Sequence, residues 1–516
     1  MPAPAPPARL PPLEGGARLL ATLSLALATL MNVLDTTIAN VAIPTIAGDI
    51  GVSASQGTWV ITSFAVANAI SVPLSGWLAR RFGEVRVFVY ATFLFVLASW
   101  LCGLSRSLDT LIACRVLQGL VAGPMIPLSQ SLLLQCYPAA KSGAALAIWS
   151  MTTTVAPVLG PILGGWISDN MAWSWIFYIN IPAGLLAAGA SWMLLKHRQL
   201  PTVRLPVDTI GLALLIIWVG AMQLALDRGK ELDWFASTEI ILLTITAIVA
   251  LSFFIAWELT ERHPIVDLRL FKRSNFTLGT LALALGYGAF FAGIVIQPLW
   301  MQQHMGYTAT WAGLATAPGG LLAILLMPLV GKSLGRIDPR ILAALALATL
   351  ALAAFMRAGF NTSTDLSTMI APQLVQGIAM AGFFVPLTAI LLSGLDPAQI
   401  PAAAGLSNFM RITAGAFGAS TSITLWENRA TLHHAQLAET IDPYRPAAQM
   451  TLAALQERGM EQTQALATIN RMIDTQAATL SFVEFFWASG IIFLILIGLL
   501  IRGAARRSEG NPLPRK

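Results

Sequence analysis

Charge is scarce in this sequence: 11% of its 516 residues are charged, while 56% are hydrophobic. A soluble domain carries roughly a quarter of its residues as Asp, Glu, Lys and Arg, so this chain cannot hide its apolar surface in a water-soluble core and reads as an integral membrane protein. Cysteine is scarce too. Cys102, Cys114 and Cys136 lie in or near apolar runs with no CxxC pair, which argues against a disulfide framework or a zinc site and leaves packing as their role. The five histidines offer no ligand set. His433 and His434 are adjacent and face different sides of a helix, and His197, His263 and His304 stand alone, so no metal is expected. Gly331-Lys332-Ser333 resembles the end of a phosphate-binding loop, but the upstream glycine would fall at Leu326, so no ATP site is expected. An intramembrane enzyme would need a nucleophile or an acid–base pair and a channel would need polar rings, and neither pattern is present.

What the chain does have is apolar runs of bilayer length. Fourteen candidate spans lie near 19–43, 57–77, 87–105, 109–136, 143–167, 173–195, 208–226, 236–257, 276–301, 311–331, 341–359, 367–393, 402–426 and 482–501. The first of them could pass for a signal peptide, but the number of spans that follow makes it a retained helix. An even count puts both termini on one side. With the termini cytoplasmic, most of the Lys and Arg fall on the cytoplasmic side, in clusters such as Arg80, Arg81 and Arg86, or Lys196, Arg198 and Arg204, or Lys332, Arg336 and Arg340, or Arg502, Arg506 and Arg507. The net charge of +6 is thus accounted for by topology, and no nucleic-acid partner is needed.

The chain echoes itself. Thr58-Trp59 leads to Pro73-Leu74-Ser75-Gly76 and a basic loop, as Thr310-Trp311 leads to Pro328-Leu329-Val330-Gly331 and another. Gln118-Gly119 precedes Pro127-Leu128 much as Gln376-Gly377 precedes Pro386-Leu387. Two echoes in the same order imply two six-helix units with two inserted spans between them. The expected division is a tail over 1–18, a six-helix bundle over 19–195, the insertion and its linkers over 196–275, a second bundle over 276–501 that includes a long loop at 427–481, and a tail over 502–516.

One carboxylate, Asp35, sits deep in the first span. An aspartate at a helix centre costs about 2.5–3.5 kcal/mol on insertion scales and persists where it faces a bundle interior or a water-filled path, so it is the leading candidate functional group. Ala28, Asn32, Asp35, Ala39 and Ala42 share its helix face. On the fourth span, Arg115 and Gln118 are one turn apart, and Asp35 is the carboxylate deep enough to pair with Arg115. The second-half counterpart of Arg115 is Gln373, so the charge is asymmetric. Pro157, Gly160, Pro161, Gly164 and Gly165 in the fifth span allow bending and close helix contact. In the second half, Asn408 and Arg411 recur one turn apart and are candidate cavity residues, with Trp149, Tyr287, Phe290, Phe383, Phe384 and Phe409 as possible aromatic lining.

Together these motifs resemble the major facilitator superfamily, and within it the fourteen-span drug:proton antiporters. Leu34-Asp35-Thr36-Thr37-Ile38-Ala39-Asn40-Val41-Ala42-Ile43-Pro44 is similar to that family's first-span motif, Arg115-Val116-Leu117-Gln118-Gly119 to its fourth-span motif, and Gly160-Pro161-Ile162-Leu163-Gly164-Gly165 to its antiporter motif. The cytoplasmic loop motif is matched at Gly76, Leu78, Arg81 and Gly83, but Arg80 replaces its aspartate, so the family's acidic latch does not carry over. Glu84 is the nearby carboxylate, out of register. The resemblance implies an all-α major facilitator fold of two six-helix bundles plus two inserted helices. It also implies proton-driven efflux of lipophilic compounds by alternating access, with no cofactor beyond the proton motive force. Asp35 would carry the proton beside Arg115. It further implies the inner membrane of a bacterium, as the inner-membrane part of a tripartite pump with a periplasmic adaptor and, through it, an outer-membrane channel. The alternative on the same scaffold is a proton-coupled transporter of one specific metabolite. For residues 427–481, the runs 451–458 and 464–473 predict two short amphipathic helices separated by Gly459. They would either form a lid or dock the adaptor.

Overall fold

Lipid offers no hydrogen bonds to a backbone, so a chain this apolar must satisfy its amides internally, and helix is the outcome for a single chain without alternating strands. The computed structural model describes residues 11–508, apart from 200, 204–205, 335, 440 and 442–444, and among the described residues there is no strand. Arg204 lies outside the described residues, as do the side chains of Pro157, Pro161, Arg502, Arg506 and Arg507.

The first part of the chain forms α1 (Gly15–Ile50), α2 (Ala54–Gly57), α3 (Trp59–Ser71), α4 (Ser75–Phe82), α5 (Glu84–Leu104), α6 (Leu108–Ala122), α7 (Met125–Cys136), α8 (Ser142–Asn170), α9 (Trp175–Tyr178) and α10 (Asn180–Leu195). Then come α11 (Thr209–Arg228) and α12 (Thr238–Thr260). The rest forms α13 (Ser274–Gln303), α14 (Ala309–Ser333), α15 (Pro339–Arg357), α16 (Leu366–Leu392), α17 (Ile400–Glu439), α18 (Pro446–Glu457) and α19 (Gln462–Ser508). Twelve stretches among the described residues are long and apolar enough to cross a membrane. The expected fifth and thirteenth spans fall on α8 and α17, which are long enough to cross and pack within the bundle although they are not among those twelve.

The ends follow local rules. Ser107 caps α6 by accepting from Thr110 N, and Asp365 caps α16 by accepting from Thr368 N at 3.1 Å. Gly51 ends α1 at φ +77° and Gly83 separates α4 from α5 at φ +93°, a left-handed conformation that suits glycine.

Helix packing is similar in the two parts of the chain. In the first part α1 packs on α8 and α10, α3 on α6, and α5 on α10; in the second α13 packs on α17 and α19, α14 on α16, and α15 on α19. The inserted α11 and α12 pack on each other, and α11 also meets α3 and α17. The Gln-Gly echo falls on α6 and α16, but only the first is interrupted, at Gly123-Pro124, while α16 runs through Pro372 and Pro386.

Two features depart from expectation. Much of 427–481 is a helical extension of the two neighbouring spans: α17 continues unbroken to Glu439, and the run at 464–473 is the start of α19, which joins the expected last span without a break. Only the run at 451–458 forms a short helix of its own, α18, which packs on α19. Leu452, Leu455, Ile469 and Ile473 are half-buried, while Leu466 stays exposed. Side-chain pairs hold α17 and α19 together: Arg429 donates to both oxygens of Glu484, and Trp426 Nε1 donates to Ala478 O at 3.0 Å.

The two parts of the chain meet near the end of the bundle where α1 begins. Gly76 lies against Ala402 and Gly405 against Val72 and Ser75. Gly143 and Gly331 face each other, so Gly331-Lys332-Ser333 belongs to the end of a packed helix. A Cβ on Gly331 would lie 2.7 Å from Ala147 Cβ and 2.7 Å from Gly143 O. Gly331→Val is therefore expected to insert normally but to destabilise this close approach by about 1–3 kcal/mol, the usual cost of overpacking. A melting temperature several degrees lower in detergent is the expected reading, and an unchanged one would show that the contact has slack.

Candidate functional site

Asp35 lies past the middle of α1 and is 1% exposed. Every neighbour that reaches it is a donor. Arg115 Nη1, from α6, sits 2.6 Å from Oδ2; Gln118 Nε2 donates to Oδ1 at 3.1 Å, and Asn180 Nδ2, from the start of α10, donates to the same oxygen at 2.9 Å. The donors are themselves held. Gln118 Nε2 also donates to Ser99 Oγ at 2.7 Å, its Oε1 accepts from Arg115 Nη1 at 2.7 Å, and Cys102 Sγ lies 3.5 Å from it. Arg115 Nε donates to Val60 O on α3 at 3.0 Å, and its guanidinium carbon lies 4.2 Å from the Phe64 ring centre and 5.5 Å from that of Phe177. Five helices thus converge on one carboxylate. The predicted pair is formed, and the surrounding aromatic rings and buried amides keep it out of the lipid.

Helix α8 completes the enclosure. Gly160 stands against Thr37, and a Cβ on Gly164 would lie 2.7 Å from Ile38 O. Thr37 Oγ1 reaches Ala156 O at 3.4 Å. Bulk at either glycine would push α8 off the turn that follows Asp35. Asn32 shares the buried face of α1, yet its amide donates to Ala122 O at 2.8 Å, tying α1 to the end of α6 instead of joining the Asp35 network.

The candidate residues of the second half form a separate group. Arg411 Nη2 donates to Asn408 Oδ1 at 3.1 Å and lies 4.8 Å from the Tyr287 ring centre. Asn408 Nδ2 lies 3.4 Å from Gln130 Oε1 on α7, across the line where the two parts of the chain meet. Tyr287 lies beside Phe290, Phe291 and Phe384, and Phe383 packs on Phe384. Phe409 instead packs on Trp218 of the inserted α11, and Trp149 is buried with its Nε1 donating to Ser129. Of the loop motif, Gly76 touches Ala402 and Arg81 lies over Trp77 and Phe82. Glu84 accepts from Gln135 at 2.6 Å and Ser131 at 3.2 Å, both on α7, so in this conformation it braces its own part of the chain and does not reach the other.

A cavity of about 670 Å³ lies at the far end of the bundle, beside the α17–α19 extension, lined by Gln303, His304, His434, Arg471 and Asp474 among others. None of the Asp35 network lines it. It is lined by exposed charged groups, among them the His434–Asp474 pair, and is separate from the buried pair at Asp35.

Sequence reading missed Asn180 and Ser99. Asn180 carried a signal, a lone amide in an apolar span, whereas Ser99 carried none that separates it from a packing serine.

Comparison with known proteins decides the family. Residues 25–419 match the Major Facilitator Superfamily. The chain belongs to it. It is 53% identical over 490 residues to "Multidrug export protein EmrB" of Escherichia coli (strain K12), covering 95% of this chain and 96% of that one. It is 52% identical to "Fatty acid resistance protein FarB" of Neisseria gonorrhoeae, covering 95% and 97%. Among solved structures, the proton:xylose symporter XylE superposes with a TM-score of 0.60 at 13% identity over 94% of this chain and 95% of that one, a likeness of fold. The expected fold and the EmrB-type recognition are met, and the chain is a transporter by family.

Asn180 tests how far the network depends on its least conspicuous member. Hydrogen bonds to charged groups contribute about 1.5–3 kcal/mol. Asn180→Ala is expected to slow substrate-driven proton flux in proteoliposomes by about ten-fold or more, with normal insertion. A wild-type rate would mean that Arg115 and Gln118 suffice.

Proposed function

We propose that this chain is a multidrug efflux transporter driven by protons, a drug:H+ antiporter that exports lipophilic compounds by alternating access. The relatives named for multidrug export support efflux. The observation that carries the coupling is the buried Asp35–Arg115 pair at 2.6 Å, enclosed by donors from α6 and α10. Asp35 is the proton carrier. The proton affinity of a carboxylate depends on its distance from a cation and on its donors, so a movement that parts Asp35 from Arg115 changes its hold on a proton. Because α8 rests on the turn after Asp35 through Gly160 and Gly164, a shift of α8 is felt at the carboxylate. In our reading the Pro157, Pro161 and Gly165 positions let α8 bend as that shift occurs.

The two moving bodies are the bundles at 19–195 and 276–501, with the insertion at 196–275 alongside. The glycine contacts at the end bearing the N-terminus make this the conformation closed on that side. By the positive-inside rule that side is the cytoplasm, and the membrane is the bacterial inner membrane. Asn408, Arg411 and the Tyr287 aromatic group lie where the bundles meet, and they are the residues we assign to substrate, with Asn32 and Gln118 supporting the coupling helix. The proton motive force supplies the energy.

We further assign the α17–α19 extension to a periplasmic adaptor leading to an outer-membrane channel. Exposed Leu432, Met450, Leu466 and Met472 on that extension support an apolar docking surface.

Two experiments test these readings. Asp35→Asn keeps the side-chain volume but cannot cycle a proton, and Val60 O, Gln118 and the Phe64 face still hold Arg115. The variant is expected to insert, to melt at a lower temperature because a buried pair has lost one charge, and to show no substrate-induced proton flux in proteoliposomes. Flux at the wild-type rate would overturn the assignment. Replacing 432–476 with a short flexible linker is expected to spare transport in proteoliposomes while abolishing drug resistance in cells and co-purification of the adaptor. Lost transport in the purified protein would assign the extension to the transporter's own cycle.

A further inference from the structure

The second part of the chain contains a counterpart of the Asp35 junction in which the charges do not balance. By the pairing of helices, α13 corresponds to α1, α15 to α5 and α16 to α6. Gln297 on α13 stands where Asp35 stands on α1: it accepts from Gln373 Nε2 on α16 at 3.0 Å, as Asp35 accepts from α6. Gln373 is the counterpart of Arg115, and Gln376 of Gln118. The cation has moved to α15. Arg357, 2% exposed, donates through Nε to Gln297 Oε1 at 2.8 Å, through Nη2 to Gln376 Oε1 at 2.5 Å and through Nη1 to Ala353 O at 3.3 Å, and it lies 5.3 Å from the Phe486 ring centre.

All of these acceptors are neutral. Among the described residues no carboxylate stands within ion-pair distance of Arg357. A guanidinium buried between membrane helices without an anion costs several kcal/mol that neutral acceptors only partly offset. Two further observations point to what balances it. Gln297 Nε2 is a buried donor with no partner among the described residues. A cavity of about 20 Å³ lies between α13, α15, α16 and α19, lined by Arg357, Gln376 and Ser489 and by apolar side chains such as Phe290, Leu350, Phe486 and Phe493; Gln297 lies about one turn along α13 from Gly293, which lines it, and reaches it through Arg357. That volume takes a group about the size of one water molecule. Arg357 already occupies the Gln376 carbonyl, so the free end of that amide is its donor end.

We propose that this junction binds one small monovalent anionic group, either a halide ion or the carboxylate head of an amphiphilic acid, as the counter-charge of Arg357. The size of the cavity and the single cation disfavour phosphate and sulfate, which are larger and carry more charge. A space of this size suits either a weakly hydrated halide or a carboxylate head group whose alkyl chain stays outside the cavity. The site is distinct from the Asp35 network, so its test does not depend on the proton-coupling reading.

The test is the melting temperature of the purified full-length chain in a neutral detergent. Sodium sulfate, whose anion the site disfavours, is the base medium, with chloride, decanoate or decanol added at constant ionic strength. The expected result is a rise of several degrees with chloride, decanoate or both, and none with decanol. A response to chloride identifies a free ion as a ligand, and a response confined to decanoate identifies the head group of an amphiphile. Gln297→Glu supplies a carboxylate beside Arg357 and is expected to abolish the response to both anions, with a melting temperature in the base medium at or above that of the parent. Arg357→Gln should also abolish it, and if that variant does not fold, Gln297→Glu still decides. A parent chain indifferent to both anions, an equal response to decanol, or a full response in Gln297→Glu would overturn the proposal.

Discussion

A full negative charge in the interior of a membrane protein must be balanced within a few ångströms, and much of the first part of this chain is arranged to do so at Asp35. The guanidinium of Arg115 balances it, Gln118 and Asn180 fill the remaining acceptor positions, and Val60 O and the Phe64 ring keep the guanidinium in place. Removing one partner from such a pair costs about 3–5 kcal/mol, because the other charge is left buried and unpaired. Each charge therefore depends on the other for its place in the interior. The glycines of α8 fit this arrangement, since they place a whole helix against the turn beyond the carboxylate without a side chain between.

Comparing the two parts of the chain shows how a repeated scaffold can hold unequal chemistry. Helix pairing is nearly the same in both, because close packing is set by small residues and apolar ridges that both copies retain. Charge is not repeated. One copy holds an acid and a base in contact on α1 and α6, and the other holds an amide on α13 and a base on α15. Among the described residues, the buried ion pair lies in the first copy, and the buried arginine of the second has only neutral acceptors.

The sequence made Asp35, Arg115 and Gln118 legible because ionisable and amide groups in apolar spans stand out against the cost of burying them. The paired order of Gln-Gly and Pro-Leu likewise suggested a repeat, and helix packing is similar in the two parts. Arg357 was not singled out because it lies at the end of its run, where an arginine ordinarily reaches the interface, and only the packing shows it turned inward. Asn32 was placed on the right face but next to the wrong partner, since helical spacing gives direction and not the neighbour's identity. The contacts of Gly76 with Ala402 and of Gly143 with Gly331 could not be read at all, because a glycine's importance lies in what the other helix brings near it. The segment after Trp426 was read as a loop because hydropathy falls there, but hydropathy marks where the bilayer ends and not where a helix does.

The continuity of α17 has a mechanical consequence. Its first turns press on the Gly76 contact at one end of the molecule, and its last turns stand beyond the spans at the other, with Arg429 and Trp426 fastening it to α19 on the way. A helix of 40 residues is a rod about 60 Å long, so a tilt of about 10° about its inner end carries the tip about 10 Å sideways. In the alternating-access cycle proposed above, such a rod would act as a lever, delivering a small rearrangement at its inner end, enlarged, to its far tip.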